Sequence, residues 1–256
     1  MDYKLGKKKA KIDKRTIQFN KIVKAVLPPI PDIFDVDTLV GVKLDNPVYA
    51  NDKWGDCVIA GRAHMTRRFE AFEQKTILPI TDEEVLIQYW EEGRPRCMLL
   101  KWFSPRKPDN GLVMLKSLSN WRRNGWVING KKYNIYAYAG IDWQNHDEVR
   151  AAAYLLTGVY CGIDLPDSAM EQFNHHQVWD TVNNSKIKGG HCVYVKRITP
   201  NGPICVTWGA EQRMTWNFWD KYVDECYGIV DNRNKFTVNS PVDVDKLDEY
   251  LHEITK

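Results

Sequence analysis

The sequence predicts an α+β protein whose first half is mainly helical and whose second half is mainly antiparallel sheet. In three segments between residues 57 and 158, apolar side chains recur every three or four positions, the period of a helix with one buried face. From Val159 the apolar period becomes two, as in a half-buried strand. Two later apolar runs are joined by Pro200-Asn201-Gly202-Pro203, which is typical of a β-hairpin.

Composition indicates a folded protein with a basic N-terminal extension, residues 1–30. The chain has 256 residues, 43% hydrophobic, with a net charge of +3. The first 25 residues carry nine Lys or Arg against two Asp, so the basic character belongs to this extension. We expect the extension to be solvated, and to bind, if anything, an acidic partner or nucleic acid.

The chain shows no targeting or membrane signal. It has no signal-peptide core and no run near the roughly 18 to 20 apolar residues that a membrane span needs. Because the cysteines are widely spaced and no export signal is found, we expect reduced thiols and a cytoplasmic protein. No Cys-x-x-Cys pair indicates zinc, and we expect neither metal nor cofactor. The adjacent His175 and His176 are expected to be solvated residues of a loop between two strands, and not metal ligands. The six cysteines are Cys57, Cys97, Cys161, Cys192, Cys205 and Cys226.

Three helices are predicted before the sheet. The first follows a proline-punctuated extended arm, begins at Cys57 and runs for about four turns. The second ends at Gly125, which suits a left-handed cap, and the third runs from Asn145 to Gly158. Apolar faces of the first two helices are formed by Val58, Met65, Phe69 and Phe72, and by Met114, Leu115, Leu118 and Trp121.

The second half places His191 and Trp208 toward the open end of one hairpin. A strict two-residue turn would pair Val195 with Trp208 and leave His191 about four residues away, so a bulge or wider loop is needed to bring the two together. A helix is predicted from Thr215 to Cys226. A last helix, capped by Ser240-Pro241, is predicted within residues 236–256.

Cys57 has two interpretations. A thiol in the first turn of a helix meets unpaired backbone N–H groups and the positive end of the helix dipole, which lower its pKa and raise its reactivity. If His191 faces the sulfur, the pair has the chemistry of a Cys/His hydrolase. A cysteine before a helix is, however, more often simply buried.

The order of these features resembles the papain-like cysteine peptidases. The extended arm, the run Asn51-Asp52-Lys53-Trp54-Gly55-Asp56-Cys57 opening a long helix, then GGHCVYV and VTWG, follow in that family's order from about residue 31 to 230. Cys57 and His191 lie 134 residues apart, within the roughly 130 to 150 of papain-type enzymes. The resemblance implies a cleft between a helical lobe, about residues 50–140, and a sheet lobe, about residues 141–235, in a domain spanning 31–235.

The resemblance also assigns roles to individual residues. Cys57 is the implied nucleophile, His191 its base and acid, and Asn51 the oxyanion donor, where the family usually has Gln. The backbone N–H of Cys57 is the implied second donor, and the substrate, a polypeptide, aligns along the glycines Gly55 and Gly111, with a register that can slip by one. Trp208 is the implied shield over the histidine.

Four departures from the family pattern stand beside these roles. Val206 replaces the asparagine that orients the histidine. Thr207 can substitute if a bulge turns its hydroxyl toward His191, or a water molecule can do so. Val58 and Trp54 replace a tryptophan and a cysteine of the family. Only 56 residues precede Cys57, which is too short for a folded inhibitory prosegment, so we expect an enzyme without that restraint.

Two functions follow as hypotheses. The first is a thiol hydrolase that cleaves peptide or isopeptide amides through an acyl-thioester at Cys57. The second is a weak or inactive papain-like module that serves as an assembly component, for example of a phage or virus particle, where its compartment would be the host cytoplasm or the virion. Val206, the absent prosegment and the basic extension motivate the second hypothesis.

Overall fold

A seven-stranded antiparallel sheet carries the second half of the chain, as the sequence predicts. The computed structural model describes residues 3–24, 27–41, 44–95, 105–231 and 242–253, and Cys97 and the Ser240-Pro241 cap lie outside these ranges. Along the sheet the strands follow the order β4-β9-β5-β6-β7-β8, and β1 also pairs with β6. Strand bounds are β1 Phe34–Asp35, β4 Ile135–Gly140, β5 Val159–Pro166, β6 Ile187–Thr199, β7 Gly202–Thr207, β8 Ala210–Arg213 and β9 Val223–Asp231; β2 Trp126–Ile128 and β3 Lys131–Tyr133 form a separate hairpin.

The predicted helices are present, and others accompany them. Helix bounds are α1 Phe19–Ile22, α2 Val36–Val40, α3 Cys57–Gln74, α4 Asp82–Gly93, α5 Met114–Asn124, α6 His146–Leu155, α7 Asp167–Asn174, α8 Trp216–Tyr222 and α9 Val244–Glu253. The Asn145 side chain accepts the Glu148 N–H at the start of α6, and Gly125 ends α5 at a φ of 66°. Among the described residues, no helix is long and apolar enough to cross a membrane.

Helix α3 is buried on nearly every side, including its charged residues. Arg62 reaches Glu92 at 2.7 Å, and Arg68 reaches Asp37 at 2.7 Å. These pairs compensate the loss of hydration that burial of an arginine entails. The helix that carries Cys57 is therefore held by ion pairs to α4 and to α2.

The sheet separates two apolar cores. On β5, Val159, Cys161 and Ile163 face one core, with α6, α7 and α8, whereas Tyr160 faces the other, with α3, α4 and α5. This alternation is the period of two that the sequence shows. Cys57 lies at the edge of the second core, where α3 meets strand β6.

A bulge in strand β6 sets the register of the β6–β7 hairpin. Thr199 pairs with Gly202, so the two-residue turn is Pro200-Asn201 and not Asn201-Gly202. The register shifts between Val195 and Arg197. The position of the turn and the bulge at residue 196 together supply the shift, so Val195 pairs with Cys205 and not with Trp208.

Two predicted elements differ from the structure. The helix predicted from Thr215 to Cys226 ends at Tyr222, and Val223 begins strand β9 because this segment pairs with β5 in the sheet. Tertiary pairing overrides the local helical spacing here. His175 and His176 follow the C-terminal end of α7 and do not lie in a loop between two strands.

Candidate active site

Cys57 lies at the tip of helix α3, where the sequence places it. Asp56 caps the helix, and its carbonyl accepts the first helical hydrogen bonds, from Ile59 and Ala60. The thiol is 1% exposed. Backbone N–H groups of Cys192 and Gly6 donate hydrogen bonds to it. Since Cys192 follows His191 in β6, the sulfur of Cys57 is hydrogen-bonded to the residue next to His191.

His191 is held by the two residues that end strand β7. Its Nε2 lies 2.6 Å from Oγ1 of Thr207. The indole of Trp208 stacks on the imidazole with ring centroids 4.3 Å apart. Nδ1 has no hydrogen-bond partner among the described residues, so no hydrogen bond joins it to the Cys57 sulfur in this arrangement. Among the described residues, the imidazole is therefore hydrogen-bonded at Nε2 and has no partner at Nδ1.

An extended N-terminal segment, residues 3–9, crosses the site and covers the thiol. The N–H of Lys7 donates to the carbonyl of Gly190 at 2.9 Å. On the other side, the N–H of Leu112 donates to Gly6 at 2.7 Å, and the N–H of Lys8 donates to Leu112 at 2.8 Å. The segment thus pairs as a strand with both walls of a cleft, parallel to residue 112 and antiparallel to residue 190. The sequence predicts a solvated extension. In the structure, Gly6 and Lys7 of this extension are instead buried in the cleft.

Glycines lie on both walls of the cleft where the N-terminal segment passes. A Cβ atom on Gly111, whose φ is +66°, would lie 2.2 Å from the Gly6 carbonyl oxygen, and one on Gly190 would lie 2.3 Å from that of Lys7. Gly6 itself packs against the backbone of Gly55. Close backbone approach therefore needs glycine on both walls. The pairing residue is Leu112, one position after the predicted Gly111.

Further contacts fix the start of the N-terminal segment. The ring of Tyr3 stacks on Trp208 with centroids 4.7 Å apart. The ammonium of Lys4 lies 3.1 Å from Asp109, whose other oxygen accepts the N–H of Gly55 at 2.9 Å. Tyr3, Trp208 and His191 consequently form one stack of rings.

Lys7 inserts its side chain among three carboxylates. Its Nζ lies 2.6 Å from Asp224, 3.6 Å from Glu225 and 3.9 Å from Asp164, and the side chain is fully buried. Burial opposes the charge of Lys7, but the hydrogen bond and attraction of Asp224 and the other two carboxylates outweigh it and raise the pKa of the ammonium.

Burial also governs the ionisation of the two central groups. It raises the pKa of the Cys57 thiol to about 11, against the lowering effect of the two N–H donors. Burial, together with the charge of Lys7, lowers the pKa of His191 to about 3. With the segment in place both groups are neutral at pH 7, because burial outweighs the lowering of the thiol pKa expected at a helix N-terminus.

Asn51 is engaged within its own loop. Its Nδ2 donates to Asp56 Oδ1 at 2.8 Å and to the Trp54 carbonyl at 3.2 Å. Burial raises the pKa of Asp56 well above its ordinary value. The amide predicted as the oxyanion donor is thus hydrogen-bonded within the turn before α3. Val206, in the position of the expected orienting residue, packs into the second core.

The acidic residues around Lys7 were missed in the sequence. Asp224 and Glu225 fall within the segment predicted as helix, whereas in the structure they open strand β9 beside β5. The run Cys226 to Val230 is the signal that would have identified a strand buried on both faces, since Cys226 and Val230 lie in one core and Tyr227 and Ile229 in the other.

Comparison with known proteins identifies the fold. No family model and no curated protein matches the chain. Among solved structures, xylellain, a cysteine protease from Xylella fastidiosa, superposes with a TM-score of 0.69 at 14% identity, over 90% of this chain and 98% of that one. A procathepsin B from Trypanosoma congolense gives 0.58 at 11% identity, over 90% and 87%. A Carica candamarcensis cysteine protease in complex with E-64 gives 0.55 at 11%, over 80% and 100%. The chain therefore has the papain-like α+β fold of these cysteine proteases.

Proposed function

We propose that the protein is a papain-like thiol hydrolase that cleaves amide bonds in polypeptides, with Cys57 as nucleophile and His191 as general base and acid. The observation that carries the proposal is the cleft, which binds an extended polypeptide by backbone hydrogen bonds on both walls, directly over Cys57. Backbone pairing is how a protein holds an extended peptide of varied sequence.

The reaction requires the N-terminal segment to leave the cleft. Nδ1 of His191 then accepts the thiol proton, and the sulfur attacks the carbonyl carbon of the substrate. The C–N bond breaks as the imidazolium returns the proton to the leaving amine, and a thioester remains on Cys57. Water, deprotonated by His191, hydrolyses the thioester to the acid and regenerates the thiol.

Thr207 and Trp208 support this chemistry in the proposal. The hydroxyl of Thr207 fixes Nε2, which leaves Nδ1 for the thiol. The indole of Trp208 excludes water from one face of the ring. The backbone N–H of Cys57 is the proposed oxyanion donor, and such a donor contributes roughly 10²- to 10³-fold in rate. Asn51 joins it only if its amide leaves Asp56 when the segment is displaced.

The experiment is peptide hydrolysis by the full chain carrying Lys7→Ala, which loosens the segment. We expect mass spectrometry of a mixed peptide library to show cleavage that Cys57→Ala and His191→Ala each abolish. Cys205→Ala, at a buried thiol on β7, is the matched control and is expected to retain cleavage. Cleavage that persists in the Cys57→Ala chain would refute the proposal.

The second candidate is an inactive module that uses the papain-like fold as a scaffold. The covered thiol, with its pKa raised to about 11, favours it. In that case the Lys7→Ala chain exposes the sulfur to small reagents and yet cleaves no peptide. The same library measurement thus separates the two functions.

A further inference from the structure

The carboxylates around Lys7 form an acidic pocket built from two adjacent strands. Asp164 lies near the end of β5, and Asp224 and Glu225 lie at the start of β9. Glu225 is paired in register with Gly162 of β5. Its carboxylate also accepts the Tyr227 hydroxyl at 2.9 Å. The pocket thus belongs to the rigid sheet and not to the segment that fills it.

Gly162 makes room for the stem of the lysine. A Cβ atom at this position would lie 2.2 Å from Cε of Lys7 and 2.7 Å from Cγ of Glu225. The side chain that enters the pocket therefore passes directly over bare backbone. A straight, unbranched stem meets this requirement, as that of lysine does.

The charges of the pocket do not balance when it is empty. Three carboxylates converge on one ammonium, and Glu225 is only 4% exposed. Removal of the N-terminal segment leaves Glu225, the buried carboxylate, without this cation, and a buried charge without a partner is strongly unfavourable. The side chains of Asp224 and Asp164 are 21% and 51% exposed, so they remain in contact with solvent. A ligand that brings a cation into the pocket restores the pairing.

The position of the pocket relates it to the reacting sulfur. Gly6 donates its N–H to Cys57, and the next residue, Lys7, fills the pocket. Because an N–H group and not a carbonyl carbon meets the sulfur, the segment is not presented as a substrate. From this one-residue offset, we expect a substrate whose carbonyl carbon meets Cys57 to place the side chain of a neighbouring residue in the same pocket.

We propose that Asp164, Asp224 and Glu225 form the specificity pocket of the cleft and select polypeptides that carry a lysine next to the residue attacked by Cys57. That such polypeptides are cleaved rests on the proposed function. The pocket's preference for lysine can be measured by binding alone. The N-terminal segment competes with such polypeptides because Lys7 occupies the same site.

Binding is tested with the full chain carrying Lys7→Ala and Cys57→Ala, and with labelled peptides of residues 3–9. One peptide has leucine in place of Lys7, and a control peptide of equal charge has leucine in place of Lys8, which is exposed. We expect fluorescence anisotropy to show at least about tenfold weaker binding of the first peptide than of the second, about 1.4 kcal/mol. Adding Asp224→Asn to the protein is expected to remove this difference.

Equal binding of the two peptides, or a difference that survives Asp224→Asn, would overturn the proposal. If Lys7→Ala prevents folding, Lys7→Met keeps the apolar stem without the charge and serves in its place. Library cleavage by the Lys7→Ala chain separates the two proposals. Cleavage without lysine enrichment beside the cleaved residue overturns the pocket and keeps the hydrolase, whereas lysine-selective binding without any cleavage keeps the pocket and overturns the hydrolase.

Discussion

Thr207 contacts His191 through Oγ1 and Nε2 at 2.6 Å, although the position predicted to orient the histidine is Val206. The bulge in β6 explains the exchange. It pairs Tyr194 with Val206, so Thr207 lies on the sheet face shared by Val193 and His191. A hydroxyl one position along the strand thereby takes the place of the missing side chain.

Replacing Thr207 tests this contact. Thr207→Val removes the hydroxyl and leaves Nε2 buried without a partner, which costs about 1–3 kcal/mol. We expect kcat for peptide hydrolysis, measured in the Lys7→Ala background, to fall roughly 10- to 100-fold with little change in KM. Thr207→Ser keeps the hydroxyl and is expected to retain most of the rate. Equal kcat in the Val and Ser variants would show that the contact does not orient the imidazole.

The reactivity of Cys57 is expected to depend on the N-terminal segment. With a pKa of about 11 the thiol is ionised to about one part in a thousand at pH 8, and it is 1% exposed. Lys7→Ala removes the buried ion pairs that hold the segment. We expect iodoacetamide to modify Cys57 at least about tenfold faster in this variant than in the unaltered chain, as followed by mass spectrometry of the Cys57 peptide.

Lys8→Ala is the control for this measurement because it lies in the same segment with its side chain exposed. Its alkylation rate is expected to match that of the unaltered chain. A Lys7→Ala chain that reacts no faster than the Lys8→Ala chain would mean that the segment does not control access to the sulfur.

The sequence predicted the sheet-rich half, the helix at Cys57 and the proximity of His191 to the end of β7, because each depends on local periodicity or on turn residues. It could not predict the filled cleft. The pairing of residues 6–8 with Leu112 and Gly190 joins segments far apart in the chain, and no local pattern encodes such a contact. The acidic pocket was hidden for a second reason, since a helix predicted through Cys226 placed Asp224 and Glu225 on the wrong element.

Glu225 is expected to make the stability of the fold depend on pH. Burial, partly offset by Lys7 and the Tyr227 hydrogen bond, raises its pKa from 4.5 to about 7. Between these values the folded chain keeps a proton that the unfolded chain has released, so the free energy of unfolding falls as pH rises through this window. The Glu225→Gln chain has no carboxyl to titrate here, so its free energy of unfolding does not fall for this reason. Relative to the unaltered chain, its free energy of unfolding should rise by up to about 3 kcal/mol between pH 5 and 8.

Urea unfolding at pH 5 and pH 8 measures the effect, and contributions common to both chains, including that of His191, cancel in the difference. Glu171→Gln replaces an exposed glutamate on α7 and is expected to leave the difference between the two pH values unchanged. If the free energy of unfolding depends on pH equally in the Glu225→Gln and Glu171→Gln chains, Glu225 does not cause the pH dependence.

Replacing Asn51 is expected to destabilise the fold. Its amide donates to Asp56 and to the Trp54 carbonyl, and both Asn51 and Asp56 are buried. Asn51→Ala leaves the Asp56 carboxyl without this donor, so we expect the free energy of unfolding in urea to fall by about 1–3 kcal/mol. Lys53→Ala, at an exposed position of the same turn, is expected to change stability by less than about 0.5 kcal/mol. An Asn51→Ala chain as stable as the Lys53→Ala chain would show that the amide does not support the turn that positions Cys57.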